Sequence, residues 1–236
     1  MNLLLGLIAP TFLWGLYHVY KDRNQPEPLV NLLLIYVLGI GSGYLGLHVY
    51  AALDLVGLRH DAYQLAETDR VGLFFYSIGV IGVVEETVKF LPFWLAALRL
   101  RHFDEPVDGI IYASFIALGF ASCENLYFLA YLDGFEAVGR AFAAPIVHVM
   151  FASIWGYSCG RAKLEGRPML PAALGGLGVA ALLHGTYDFF AIGLTPWVHI
   201  VPPAIILLIW IWRMRLIRRL YTQRREPSSF SRDEKP

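Results

Sequence analysis

Long apolar stretches alternate with short polar segments along the whole chain. A helix needs about 20 apolar residues to cross a bilayer, and seven stretches approach this length: 2–20, 29–51, 71–98, 107–133, 139–160, 169–193 and 197–218. The polar segments between them carry prolines, asparagines and acidic residues that are typical of loops. The pattern predicts an all-α fold, a polytopic transmembrane helical bundle of about seven spans over residues 1–220. A basic, disordered tail is predicted over 221–236.

The distribution of lysine and arginine predicts how this bundle is oriented. Eight basic residues follow residue 212, and in a seven-span topology seven more lie in loops on the same side, against three on the other side. Cytoplasmic loops carry such an excess, so we expect a cytoplasmic C-terminus and an extracytoplasmic N-terminus in the cell membrane. No basic residue precedes the first apolar stretch, which argues for a retained span and against a cleaved signal peptide.

The composition agrees with a membrane protein and excludes some other classes. Hydrophobic residues make up 57% of the 236 residues and charged residues 16%, against about 45–50% and 25% in soluble domains. The 19 basic and 19 acidic residues cancel, which argues against a nucleic-acid partner. Cys123 and Cys159 stand alone in apolar stretches, so neither a disulfide framework nor a thiolate zinc cluster is indicated.

A few ionisable residues lie inside or at the ends of the apolar stretches, where they are costly and mark function by default. We interpret Asp108 as a cap of the fourth helix and Arg140 as an interfacial residue whose charge reaches the membrane surface. The others are Glu85, Glu86, Lys89, Glu124, His148, His184 and Asp188.

Several of these groups are predicted to lie at a similar depth. In the seven-span topology, Glu124, His148 and His184 each fall about nine residues from the outer end of their helix, or about 13 Å below the outer boundary. Glu85 and Glu86 fall within about one turn of that level. The sequence therefore predicts one polar site in the outer half of the membrane, built by four helices.

Three motifs in this region carry a resemblance to a known family. Glu85-Glu86-Thr-Val-Lys89 is an EExxK motif, Phe120-Ala-Ser-Cys-Glu124 is FxxxE, and His184-Gly-Thr-Tyr-Asp188 is HxxxD. In this order they resemble the PrsW family of intramembrane proteases, over about residues 75–192. The distantly related CAAX prenyl endopeptidases carry a histidine where this chain has Glu124.

The resemblance implies an activity and a substrate. It implies a transmembrane protease domain that makes the first cut (site-1) in a membrane-anchored anti-sigma factor, a single-pass protein, as part of a stress response. The expected partners are this substrate and the lipid bilayer.

Metal-assisted hydrolysis is one way in which such a site could act. Glu124, His148 and His184 could bind Zn²⁺ as three protein ligands and leave a fourth position for water. Asp188, one turn after His184, could accept a hydrogen bond from the imidazole nitrogen that faces away from the site. Asn125 is expected to support the ligands from the same helix as Glu124.

The general base is expected on the third span. Glu85 or Glu86 would take a proton from the water, and we favour Glu85 by analogy with the first glutamate of the related motif. Lys89 lies four residues after one glutamate and three after the other, so it could pair with either. It would orient or neutralise the carboxylate that is not the base.

Other functions remain open at this stage. In a metal-independent, CAAX-like glutamate protease, Glu85 would activate water directly and His184 would stabilise the oxyanion. An ion- or proton-coupled transporter would use the same residues to move ions, and a scaffold protein would not need them. Transporters often show inverted repeats, which are not evident in this sequence.

Overall fold

The computed structural model describes residues 3–21, 23, 25–132, 134–193 and 200–225, and within these ranges the chain forms helices and turns but no strand. The helices are α1 (Leu3–Lys21), α2 (Leu29–Leu55), α3 (Ala62–Thr68), α4 (Arg70–Tyr76), α5 (Val83–Leu95), α6 (Pro106–Phe128), α7 (Gly134–Leu164), α8 (Met169–Ile192) and α9 (Val201–Arg225). A π-helical turn (Ser77–Gly82) joins α4 to α5, and a 3₁₀ turn (Ala97–Arg99) follows α5.

Five helical segments of the described chain are long and apolar enough to cross a membrane: Leu29–Leu55, Arg70–Arg99, Pro106–Phe128, Gly134–Leu164 and Met169–Ile192. They correspond to five of the seven predicted spans. The first and last predicted spans correspond to α1 and α9, which are not among the five. The predicted all-α transmembrane bundle is thus confirmed, whereas the count of seven is not. Residues 226–236 of the predicted tail lie outside the described ranges, and residues 221–225 continue α9.

The centre of the bundle is α6, in which every residue from Val107 to Cys123 is buried. It packs against α2 and α7. Glycines permit the contact with α7: a Cβ on Gly109 would run into the carbonyl oxygen of Gly156, and a Cβ on Gly156 would run into that of Gly109. Small residues at such crossings let transmembrane helices approach closely.

The N-terminus of α6 is closed by the cap predicted for Asp108. Its Oδ2 accepts hydrogen bonds from the backbone nitrogens of Asp104 (2.8 Å) and Glu105 (2.6 Å). Glu105 is the N-cap residue, and the two side chains form a capping box. This arrangement satisfies backbone donors that the first turn of a helix leaves unpaired.

The polar segment between the predicted spans 29–51 and 71–98 contains a helix that the hydropathy pattern did not show. Asp61 caps the N-terminus of α3 by accepting from the backbone nitrogens of Tyr63 and Gln64. Asp69 then caps α4 by accepting from Gly72 at 2.9 Å. The seven residues of α3 are too short for a helical hydrophobic period to stand out, so only the capping residues could have indicated it.

The predicted third span, 71–98, is helical except at Ala96 and is not uniformly α-helical. Its middle, Ser77–Gly82, is a π-helical turn, and this turn immediately precedes the two glutamates of α5. π-Helical turns are rare in proteins, and those that occur often lie at functional sites. Here the turn packs tightly on α8, because a Cβ on Gly82 would run into the carbonyl oxygen of Ala181.

Arg213, which we counted among the basic residues that predict the orientation, lies inside the bundle and is 1% exposed. Its guanidinium lies 3.0 Å from His18 Nδ1 of α1 and donates to Ser114 Oγ of α6 at 3.0 Å. His18, to which the sequence assigned no role, is buried with it. This contact ties α1 and α9 to the central helix.

Candidate active site

Four helices bring the predicted polar residues together, as the depth comparison indicated. Helix α5 supplies Glu85, Glu86 and Lys89, α6 supplies Glu124, α7 supplies His148, and α8 supplies His184 and Asp188. Chains of hydrogen bonds and close ion pairs connect them.

Glu86 is the most completely bonded carboxylate of the cluster. It is fully buried, with 0% exposure. Its Oε1 accepts from Lys89 Nζ at 2.6 Å and lies 2.8 Å from His184 Nδ1, and its Oε2 accepts from Trp155 Nε1 at 2.9 Å. Lys89 therefore neutralises the second glutamate of the motif, one of the two pairings that the spacing allowed.

Glu85 has a different environment, although it is adjacent in sequence. Its Oε1 accepts one long hydrogen bond, from Tyr50 Oη at 3.4 Å. Its Oε2 is buried without a hydrogen-bond partner, and it lies 3.7 Å from His184 Nε2 and 3.9 Å from His148 Nδ1. One carboxylate oxygen is thus left free between two imidazoles.

Glu85, His148 and His184 form a group whose ligand atoms all lie within 4.8 Å of one another. Ligands about 2.1 Å from a tetrahedral zinc are about 3.4 Å apart, so small side-chain movements would bring this group to that spacing. Lys89 Nζ lies 3.1 Å from His148 Nδ1. A bound metal would take the lone pair of His148 Nδ1, and Lys89 would keep its hydrogen bond to Glu86. The residues therefore fit a metal ion.

Both imidazoles are held by a carboxylate on the nitrogen that faces away from Glu85. Glu86 holds His184 Nδ1 at 2.8 Å, and Glu124 Oε2 lies 2.7 Å from His148 Nε2. Such carboxylates fix the tautomer and the ring orientation of metal-binding histidines. Glu124, which the sequence predicted as a ligand, is placed outside the group of Glu85 and the two histidines.

Arg140, which we interpreted from the sequence as an interfacial residue, lines the site and contacts one of its carboxylates. Its guanidinium lies 2.8 Å from Glu124 Oε1 and 3.6 Å from the ring centroid of Phe128. The interpretation as an interfacial residue followed from its place near the end of a predicted span. In the structure α7 begins at Gly134, so Arg140 lies six residues inside the helix.

The two residues expected to support the ligands make different kinds of contact. Asp188 Oδ2 lies 3.5 Å from His184 Nε2, the nitrogen that faces Glu85, because Glu86 already occupies the other nitrogen. Asn125 is buried and donates to the carbonyl oxygen of Ala141 at 3.4 Å. The hydrogen bond of Asn125 joins α6 to α7 and does not reach the histidines.

Sequence reasoning missed two further residues of the site. Trp155 lies seven residues after His148, on the same face of α7, and this spacing could have indicated it. Tyr50 comes from α2, which carries no motif residue, and nothing in the sequence pointed to it.

A cavity of about 720 Å³ leads to Glu85, which is within the range of about 300–1,000 Å³ that is common for ligand sites. Glu85, Glu124, His148, His184 and Asp188 line it together with Arg140. Small residues of α7 widen it, and the segment around α3 covers another side with Arg59, His60 and Tyr63.

Comparisons with known proteins agree with the motifs and with this site. The family model described as PrsW family intramembrane metalloprotease matches residues 27–214. Protease PrsW of Clostridioides difficile (strain 630) is 30% identical over 226 residues, which cover 92% of this chain and 89% of the relative. Protease PrsW of Bacillus subtilis (strain 168) is 28% identical over 204 residues, 86% of this chain and 88% of the relative. No solved structure gives a significant match. The chain therefore belongs to the PrsW family of intramembrane metalloproteases.

Proposed function

We propose that this chain hydrolyses a peptide bond of a membrane-anchored protein with a water held among Glu85, His148 and His184. The observation that carries this proposal is the free Oε2 of Glu85, which lies between two imidazoles whose far nitrogens are each held by a carboxylate. The cavity gives a substrate access to this point.

The two histidines and Glu85 are the proposed metal ligands, with Zn²⁺ as the metal. When bound, zinc would supply a water that ionises near neutral pH and a Lewis acid for the peptide carbonyl. The ligand set predicted from the sequence, with Glu124 in place of Glu85, would require Glu124 to leave His148 and Arg140. The observed bonds favour Glu124 as the residue that holds the His148 ring.

Asp188 is the proposed general base when Glu85 is a ligand. Its side chain is 18% exposed, lines the cavity, and lies 3.5 Å from His184 Nε2. The carboxylate would take a proton from the water and return it to the leaving amine. Glu86 and Lys89 would keep His184 and the buried charges in place without contacting the substrate.

Metal analysis with matched variants tests these roles. Purified wild-type protein should contain close to one equivalent of zinc, which Glu85→Gln should lose and Asp188→Asn should retain, and both variants should be inactive. Glu136→Gln, an exposed position on α7, serves as the control and should match wild type. A wild-type protein that is active after exhaustive metal removal would overturn the zinc assignment and leave the glutamate-only protease, in which Glu85 activates the water.

The proposed substrate class is an anti-sigma factor with one membrane span, as the resemblance to the family implies. Cells that express the wild-type chain or Glu85→Gln can be compared by sequencing the new N-termini of membrane proteins. The wild-type chain should produce a cut near the extracytoplasmic end of such a substrate. Identical fragments in both cell lines would contradict the proposal.

The proposed orientation has the N-terminus outside and the C-terminus in the cytoplasm, with α1 and α9 as the first and last of seven spans. The buried contact of Arg213 with His18 and Ser114 supports α9 as a span, because it gives a partner to a charge that would otherwise face lipid. Labelling of single cysteines at both termini with an impermeant reagent tests it. Labelling of both termini from the same side would refute it.

A further inference from the structure

A second, apolar cavity adjoins the active-site cavity and opens between α7, α8 and α9. It has a volume of about 320 Å³. Its lining is apolar apart from one phenol: Ala143, Ile146, Val147, Tyr187, Pro203, Ile206, Leu207 and Trp210. We call this the lateral groove.

Each wall of the lateral groove is one face of a helix. Pro203, Ile206, Leu207 and Trp210 of α9 follow the i, i+3, i+4, i+7 spacing of residues that share a helix face. On α7, Ala143, Ile146 and Val147 follow the i, i+3, i+4 pattern. Apolar residues of both helices therefore line one open space beside the place where α7 and α9 contact each other.

The lateral groove is continuous with the active-site cavity. Ala143, Val147 and Tyr187 line both. Trp210, on the α9 wall, packs edge-on against Trp14 of α1, with ring centroids 6.0 Å apart. Through the residues that line both cavities, the groove leads toward Glu85.

We infer that the lateral groove receives the transmembrane helix of the substrate and delivers the adjoining segment of that substrate to the active site. This inference rests on the proposed function. The apolar walls suit a helix whose side chains come from lipid. Where the groove meets the cavity, the segment to be cut must leave its helical form, and polar groups then become available to its backbone.

The junction between the two cavities favours a peptide over a lipid acyl chain. On the α7 side, Gly139, Ala143 and Ala144 leave room for a main chain to approach. On the α8 side, Tyr187 lines both cavities and can donate a hydrogen bond, and the neighbouring Asp188, which lines the active-site cavity, can accept one. An acyl chain has no polar groups to use them, whereas an unwound peptide needs such partners inside a membrane.

The test uses one synthetic probe, a helix of leucine and alanine with a diazirine-bearing leucine at its centre, in vesicles that contain the inactive Glu85→Gln protein. Mass spectrometry should locate the crosslinks at residues 143–147 and 203–210. Leu207→Trp on one wall and Ile146→Trp on the other should each reduce these crosslinks at least fivefold. Leu208→Trp, at the neighbouring position that lies outside the groove and is 66% exposed, should leave them unchanged.

Three results would overturn the inference. They are crosslinks spread evenly over the lipid-facing helices, an equal loss in Leu208→Trp, and labelling of the groove by a diazirine phospholipid that the helix does not displace. The assay measures docking without cleavage, so it separates the two proposals. Docking with no proteolysis in wild-type protein would refute the proposed function alone, and cleavage of an anchored substrate that groove-filling variants do not slow would refute the lateral groove alone.

Discussion

The two adjacent glutamates of α5 provide a sharp test, because the same substitution should change stability strongly at one position and little at the other. In Glu86→Gln, the buried ammonium of Lys89 loses the carboxylate that lies 2.6 Å away, with both side chains at 0% exposure. Removing one partner of a buried ion pair costs about 3–5 kcal/mol. The NH₂ group of the new glutamine would also face other hydrogen-bond donors, either Trp155 Nε1 or the pair Lys89 and His184. We expect the free energy of unfolding to fall by about 3–5 kcal/mol.

Glu85→Gln is the matched control for stability. The free oxygen of Glu85 has no hydrogen bond to lose, and its other oxygen accepts only a 3.4 Å contact from Tyr50. A weak hydrogen bond contributes about 1 kcal/mol or less, so the free energy of unfolding should change by less than that. Activity should be lost in both variants, for different reasons.

The measurement is reversible unfolding in mixed detergent micelles, followed by circular dichroism, with a double variant to identify the cause. If an unpaired charge is responsible, adding Lys89→Met to Glu86→Gln should restore much of the stability. The loss of stability in the double variant should then be about 2–3 kcal/mol smaller than the sum of the losses in Glu86→Gln and Lys89→Met, as is found for residues in direct contact. Strict additivity, or equal destabilisation by Glu85→Gln and Glu86→Gln, would refute the assignment of Glu86 as the structural carboxylate.

Three further substitutions test the contacts around the site. Arg140→Met should lower metal affinity or turnover about 10- to 100-fold, because Glu124, which orients His148, loses its own partner. Arg140→Lys should recover part of this loss. Wild-type turnover in Arg140→Met would contradict the prediction. Trp155→Phe should cost about 1–3 kcal/mol of unfolding free energy, since it leaves an oxygen of Glu86 unpaired, and no change would mean that water replaces the indole. Gly82→Ala should destabilise by about 1–3 kcal/mol because its Cβ would strike the facing α8 carbonyl, whereas Gly79→Ala, with nothing within 4 Å, should be neutral or stabilising.

The meeting of the motif residues was predictable because a polar residue inside an apolar stretch is a strong signal. Counting positions along each helix placed Glu124, His148 and His184 at one depth, and the structure brings His148 within 2.7 Å of Glu124 and 5.3 Å, ring to ring, of His184. The fixed rise of a helix makes depth a property of sequence position. Depth does not depend on how the helices are rotated.

Partner choice was not predictable, because it depends on those rotations. The spacing let Lys89 pair with either glutamate, and only the packing of α5 against α7 and α8 selects Glu86. For the same reason Asp188 was expected on one nitrogen of His184 and lies near the other. Arg140 was missed because the end of a helix could be read to within only a few residues.

The separate roles of the two glutamates follow from helix geometry and from the scarcity of water in a membrane. Neighbouring residues on a helix point about 100° apart, so a pair of glutamates cannot share one environment. Glu86 points toward Lys89, His184 and Trp155, which satisfy both of its oxygens. Glu85 points into the cavity and keeps one oxygen unbonded, at a cost of about 1–3 kcal/mol for a buried polar group. The well-bonded neighbour stabilises the helix and the histidine that Glu85 needs. Both positions therefore need a glutamate, since the one at 86 holds His184 and Lys89 while the one at 85 presents a free oxygen to the cavity.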